Sequence, residues 1–180
     1  MEPFATKEQM AARSQGAIPA STPFLEDELK AATELIRGYC RWHIATSEAD
    51  LVYRSRTRFA EEIWLPAMQI TALQEVSLNG AAVADPASIA FDPATGWVNI
   101  RSTAALIKFT AGYEAVPADI VSLTLQIAAR ALGSPLGFVR EQAGGVGVTH
   151  SQIASNVAGG SVLFPHEMAQ LDAYRIGWLA

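Results

Sequence analysis

Cysteine, histidine and surplus positive charge are what this chain has least of, and each shortage closes off a class of function. The single Cys40 cannot form an internal disulfide, so it reads as a small buried apolar residue in a reducing compartment. His43, His150 and His166 lie far apart, and no Cys or His pair has ligand spacing, so no metal site is expected. Lys and Arg number 13 against 18 Asp and Glu, a net charge of −5. No basic excess remains to neutralise nucleic-acid phosphates, so tight DNA or RNA binding is not expected. No run of about 18 apolar residues occurs. The nearest candidate, 117–133, is interrupted by Asp119, Gln126 and Arg130. Met1-Glu2-Pro3 opens on an acid with no apolar stretch behind it, so no signal peptide is expected and the cytoplasm is the expected compartment.

What is present is a globular composition, 50% hydrophobic and 17% charged over 180 residues. That suits one domain with an insertion, and a chain this long can bury roughly 70% of its unfolded surface without staples. A short helix is expected at Lys7–Arg13 and a long one over about 23–42, capped by Thr22 and opened by Pro23. Leu25, Leu29, Ala32, Ile36, Tyr39 and His43 recur along the long helix at helical spacing. Its acids crowd the first turns and its arginines the last, as the macrodipole favours.

From about 50 to 112 the period becomes two, and a small antiparallel sheet is expected. Tyr53 to Phe59 reads as a strand, and Glu62 to Leu65 as another. Asn79-Gly80 marks a tight hairpin, because both residues accept positive φ. Ile89–Phe91 and Trp97–Ile100 flank a second turn, and Leu106–Thr110 closes the sheet. The next helix, 117–132, is apolar over most of its circumference, with Asp119, Ser122, Gln126 and Arg130 as one narrow polar stripe. Such a helix is buried on more than one side. Helix, inserted sheet and helix make an α+β chain, mainly α, with residues 1–135 as its single domain.

Residues 136–180 form a C-terminal arm and a terminal helix. Five glycines between Gly144 and Gly160 and few apolar residues, Val146, Val148, Ile153 and Val157, suggest an arm that is either extended or ordered by a partner. The last helix starts at Pro165 with a stripe of Met168, Leu171, Tyr174 and Trp178, preceded by Phe164. Two readings of that stripe stay open: it faces its own core, or it docks on another chain through aromatic anchors.

Catalytic patterns are weak. Ser134, Ser151, His150 and Asp119 could be assembled into a hydrolase, but no nucleophile elbow is present. Gly144-Gly145-Val146-Gly147 is not followed by a phosphate-binding Lys-Ser or Lys-Thr. Glu61 and Glu62 are adjacent, so in a strand they point to opposite faces. Arg54, Arg56 and Arg58 share one strand face. They read either as a solvated guard against edge-to-edge aggregation or as a contact for Glu61, Glu62 or Glu75 of a neighbouring subunit.

The order of these segments resembles one family, the head-to-tail adaptor (head-tail connector) proteins of tailed bacteriophages, particularly those of actinobacterial hosts. The resemblance runs through Phe4-Ala5-Thr6, Ile36-Arg37-Gly38-Tyr39-Cys40, Leu65-Pro66, Val76-Ser77-Leu78-Asn79-Gly80 and, best, Phe109-Thr110-Ala111-Gly112-Tyr113-Glu114-Ala115-Val116-Pro117-Ala118-Asp119-Ile120. It continues through Arg130-Ala131-Leu132, the Gly-rich arm, and Glu167 and Leu171 of the last helix. Met68-Gln69 departs from the family pattern.

The resemblance implies a structural virion protein, with a helical core and an inserted sheet. It implies a twelve-copy ring beneath the portal protein that meets the stopper or tail-completion protein and lengthens the channel through which DNA passes. It implies no catalysis and no cofactor. The arm and last helix, through Val146, Val148, Ile153, Val157, Phe164, Met168, Leu171, Tyr174 and Trp178, become the candidate portal contact. Arg54, Arg56, Arg58, Glu61, Glu62 and Glu75 become candidate inter-subunit residues. A different neck component is the nearest alternative, and a small hydrolase using His150 the distant one. On this division of labour, a chain ending at Pro135 is expected to stay folded and lose portal binding.

Overall fold

The computed structural model describes residues 2–133, the strand segments 140–143, 146–149, 152–154 and 157–158 by their backbone alone, and residues 162–177. The fold is α+β, and it divides into two compact units: Met1–Tyr39 with Pro117–Ala173, and Cys40–Val116 with Tyr174–Ala180. The first is helical and the second holds the sheet.

In the helical unit, α1 spans Lys7–Arg13, within the expected bounds. A capping box starts it: Thr6 Oγ1 accepts from the Gln9 amide, and Gln9 Oε1 accepts from the Thr6 amide. Helix α2 runs Leu25–Cys40. It opens two residues later than Pro23, because Phe24 takes a left-handed φ of 63°. It ends before Arg41, whose φ of 68° breaks the helical repeat. Its buried stripe is Leu25, Leu29, Ala32, Ile36 and Cys40. The first residues of the chain lie along it. The Phe4 amide donates to Thr33 Oγ1, and the Arg37 guanidinium sits 4.6 Å from the Phe4 ring centroid.

Helix α3, Ala118–Gly133, buries Ile120, Leu123, Thr124, Leu125, Ile127, Ala128 and Ala131. Asp119 and Gln126 remain exposed, while Ser122 accepts a bond from Arg13 of α1. Ile127 is wholly buried, so Ile127→Ala is expected to cost about 2–5 kcal/mol, read as a drop in the urea midpoint at unchanged slope. Helix α4 spans Pro165–Leu171, starting at the expected proline.

The sheet unit contains β1 (Glu48–Trp64), β2 (Ile70–Leu78), β3 (Ala81–Ala82) and β4 (Trp97–Ala111), in spatial order β1-β4-β2-β3. Asn79 and Gly80, with φ of 52° and 86°, make the expected two-residue hairpin between β2 and β3. Tyr53, Ile107 and Val76 lie in one row across the sheet, and Leu51, Phe109 and Leu73 in the next. Ile107, Phe109, Val76 and Leu73 are buried, so this is the core face.

The second turn is held by Asp92. Its carboxylate accepts from the Thr95 hydroxyl and the Ala94 amide. Those bonds, Thr95 first, hold its pKa below the ordinary aspartate range. Several details differ from the sequence reading: Trp97–Ile100 and Leu106–Thr110 are parts of one strand, β4, and of Ile89–Phe91 only Phe91 pairs, in a single bridge to Val98. The stretches read as separate strands at 53–59 and 62–65 are one strand, interrupted by a register shift between Arg56 and Glu61. In the arm, the described backbone is not simply extended: β5 (Arg140–Ala143) pairs with β6 (Val146–Thr149), and β7 (Gln152–Ala154) with β8 (Val157–Ala158).

Candidate functional site

Two features concentrate chemistry: an arginine-bearing face on β1 and an ion-paired clasp between α3 and α4. Along β1, Val52 faces Lys108, Arg54 faces Leu106 and Arg56 faces Ala104 on β4. Facing partners in a ladder share a side, so Val52, Arg54 and Arg56 line the side opposite the core. Arg58 falls in the register shift, where its guanidinium lies 5.7 Å from the ring of Phe59, itself 70% exposed. Arg54, Arg56 and Arg58 are all exposed, and none makes an ion pair among the described residues. Together with Ser77, Asn79 and Thr103 they border an open depression of about 820 Å³. Guanidinium and hydroxyl groups in that arrangement offer donors to carboxylates or other acids.

The acids proposed to meet these arginines are differently placed. Glu61 and Glu62 are exposed at the far end of β1, opposite Ser102 and Arg101. Glu75 is occupied: its Oε1 lies 2.9 Å from Lys108 Nζ on the neighbouring strand. That hydrogen bond, then the charge of Glu75, raises the Lys108 pKa above the ordinary lysine value, with a smaller charge contribution from Asp50.

The clasp was not visible in the sequence. Arg130 on α3 reaches both carboxylate oxygens of Glu167 on α4, at 2.7 and 3.2 Å. It also donates to the Val162 carbonyl and lies 4.0 Å from the Phe164 ring centroid. Glu167 is 1% exposed and accepts a further bond from the Phe164 amide. A carboxylate buried to that degree is tolerated because each oxygen has a donor. Leu163 and Leu171 are buried beside it. Of the two readings left open for the last helix, the first describes α4: it packs on its own unit.

The candidate portal-contact residues therefore separate. Leu171 is fully buried and Phe164 is covered by Arg130, while Met168 is half-buried on α4. Tyr174 belongs to the sheet unit, where its ring meets Tyr113 at 5.8 Å and its carbonyl accepts from the Trp42 indole. Val146 and Val148 lie on β6, Ile153 on β7 and Val157 on β8, placed by backbone only. Trp178 lies outside the described residues, as do the side chains of Ser134, His150 and Ser151.

No protein-family model matches this sequence, and no curated protein does.

Function is therefore argued from the chain's own surfaces. Among the described residues, no group of three or more His, Cys, Asp and Glu is placed to hold a metal ion. No described helix is long and apolar enough to cross a membrane. His43, expected at the end of the long helix, lies beyond it, with Nε2 2.9 Å from the Ala111 carbonyl and its ring edge-on to Trp42. Gly112 sits against it. A Cβ there would come within 2.5 Å of His43 Nε2, and φ is 114°. Glycine is required at that point by space and by backbone conformation.

Proposed function

We propose that this chain is a structural virion protein, a head-to-tail adaptor that forms a ring between a phage portal and the stopper or tail and extends the DNA channel. The observation that carries this reading is the interrupted helical unit. Helices α1 and α2 precede the sheet and α3 follows it, which is the architecture that the resemblance implies. The exposed surfaces also suit a ring. A head-to-tail contact needs two unlike surfaces on each copy. The arginines of β1 offer a basic one, and Asp27 in the exposed first turn of α2 an acidic one, Glu26 beside it being paired with Lys7 and Lys30. Exposed pairs of this kind contribute only about 0–1 kcal/mol each, so a ring would depend on many contacts and on a portal template.

The reading assigns no catalysis and no cofactor. The test is to mix the purified protein with its cognate portal and size the product by light scattering. A portal-bound ring is expected. Absence of any complex with a portal shown to be assembly-competent would overturn the adaptor assignment, and binding only to a preformed portal–adaptor assembly would identify a stopper instead.

The arm needs a gentler test than truncation after Pro135, which also removes Glu167 and Leu171 from the helical unit. Deleting 144–160 spares Arg130, Glu167 and Phe164. That variant is expected to keep the parent's circular-dichroism melt and to lose portal binding; undiminished portal binding would remove the arm from the contact.

A further inference from the structure

The depression on the outer face of the sheet is bordered by hydrogen-bond donors, and no Asp or Glu lines it. Arg54, Leu106 and Ser77 lie in one row across β1, β4 and β2. Arg56 and Ala104 lie in the next, and the Asn79 amide, donating to the Ala104 carbonyl, ends that row. Asn79 Oδ1 accepts from the Thr103 hydroxyl at 2.8 Å, so the side-chain nitrogen of Asn79 is left to donate. That nitrogen, the Ser77 hydroxyl and the guanidinium groups of Arg54 and Arg56 have no partner among the described residues. Unmet guanidinium donors suit carboxylates or phosphates.

Charge and spacing select between the possible occupants. The basic stretch is short. Along β1 the charges beyond it are Asp50 before and Glu61 and Glu62 after, all exposed, and Glu75 stands one row beyond Ser77 on β2. A nucleic-acid duplex, with a phosphate about every 3.4 Å of each strand, would carry its charge on past the arginines and over these acids. A segment with few charges avoids them. Arg54 and Arg56 stand two residues apart, about 7 Å along the strand, and acids at alternate positions of an extended peptide recur at that same interval. This chain does not itself carry such a segment. Its acids two residues apart are Glu26 with Glu28, inside α2, and Glu48 with Asp50, where a φ of 58° at Asp50 breaks the extended backbone.

We propose that the arginine face of β1 is a docking site for an extended acidic segment of a different protein, one that bears carboxylates at alternate positions. Arg54 and Arg56 each take a carboxylate. The Ser77 hydroxyl and the Asn79 side-chain nitrogen donate to carbonyls of the segment's backbone. Ala104 and Leu106, both partly exposed, form the floor beneath it. Arg58 lies in the register shift but borders the same space, within reach of a further acid. The contact is made by side chains on the face of the sheet, so the strand edge takes no part. The proposal goes beyond the adaptor reading and does not rest on it. In a ring, the segment would compete with a neighbouring copy for the same arginines.

The experiment titrates the full chain, by calorimetry, with a capped heptapeptide in which glutamate alternates with threonine. Saturable binding is expected. Arg54→Gln combined with Arg56→Gln, both at exposed positions, is expected to weaken it by about tenfold with an unchanged circular-dichroism melt. Arg41→Gln removes the same charge from an exposed position outside the depression and is expected to leave the affinity as it was. A peptide of the same composition with its glutamates in one block is expected to bind several-fold more weakly. Absence of binding, equal binding of the two peptides, an equal loss in the Arg41→Gln protein, or tighter binding of an oligothymidylate would each overturn the proposal. So would a dimer in sedimentation equilibrium that the double variant abolishes, because the occupant would then be a second copy.

Discussion

Replacing Glu167 with alanine is expected to destabilise the protein by about 3–5 kcal/mol, the cost of leaving one half of a buried ion pair without its partner. Arg130 would keep the Val162 carbonyl and the Phe164 ring but lose the carboxylate that meets two of its nitrogens. The Phe164 amide at the start of α4 would lose its acceptor as well. Such a pair is weak evidence of stability in itself, because burying two charges costs nearly what their attraction returns. The diagnostic is therefore a comparison. Arg130→Met with Glu167→Leu, which removes both charges and retains bulk, is expected to recover most of the loss. Urea unfolding followed by far-ultraviolet circular dichroism would measure both proteins. A Glu167→Ala loss under about 1 kcal/mol would show that α4 is held by Leu163 and Leu171 rather than by the ion pair.

Gly96→Ala is expected to be comparably damaging, for a backbone reason. Gly96 has a φ of 79°, and a Cβ there would lie 2.6 Å from the Ala67 carbonyl oxygen and 2.7 Å from that of Leu65. Neither obstacle is a side chain that can rotate away. The Gly96 carbonyl also accepts from the Leu65 amide, and its amide donates to the Asp92 carbonyl, so the peptide is fixed from both sides. A left-handed conformation costs a non-glycine residue about 1–2 kcal/mol, and crowding a packed site about 1–3 more. The expected loss is thus about 2–5 kcal/mol. Gly80→Ala is the control. It also has a positive φ, but nothing lies within 4 Å of its Cβ position, so it should show the conformational cost alone. Equal melting temperatures for the two variants would refute the role given to the carbonyl oxygens.

Much of the fold was legible because its signals are local. Asn79-Gly80 announces a hairpin, and Pro165 opens α4. The narrow polar stripe of α3 correctly implied burial on several sides. What was illegible depends on distance or on single backbone angles. Phe24 delays α2 by adopting a conformation that nothing in its own sequence requires. The register shift in β1 resets the alternation after Arg56, so one long strand read as two. Glu167 looked like an ordinary acid in a first helical turn, a role the macrodipole explains without any partner. Its pairing with Arg130, 37 residues away, leaves no trace in periodicity. The arginines of β1 were visible by their spacing, but whether Glu75 was available to meet them was not, because Lys108 lies on another strand.

The division of the chain has a consequence for the order in which it can be made. Residues 40–116 are contiguous, so the sheet's four strands have all left the ribosome before any of α3 has. The helical unit has no such freedom. Helices α1 and α2 are synthesised first, yet α3 arrives only after the whole sheet, and the carboxylate that pairs with Arg130 arrives 37 residues later still. The closure entropy of so long an excursion grows only slowly with its length, so the delay is tolerable once synthesis ends. Until then the apolar stripe of α2 waits without α3. A ribosome stalled short of residue 167 would hold a helical unit in which Arg130 still lacks its carboxylate.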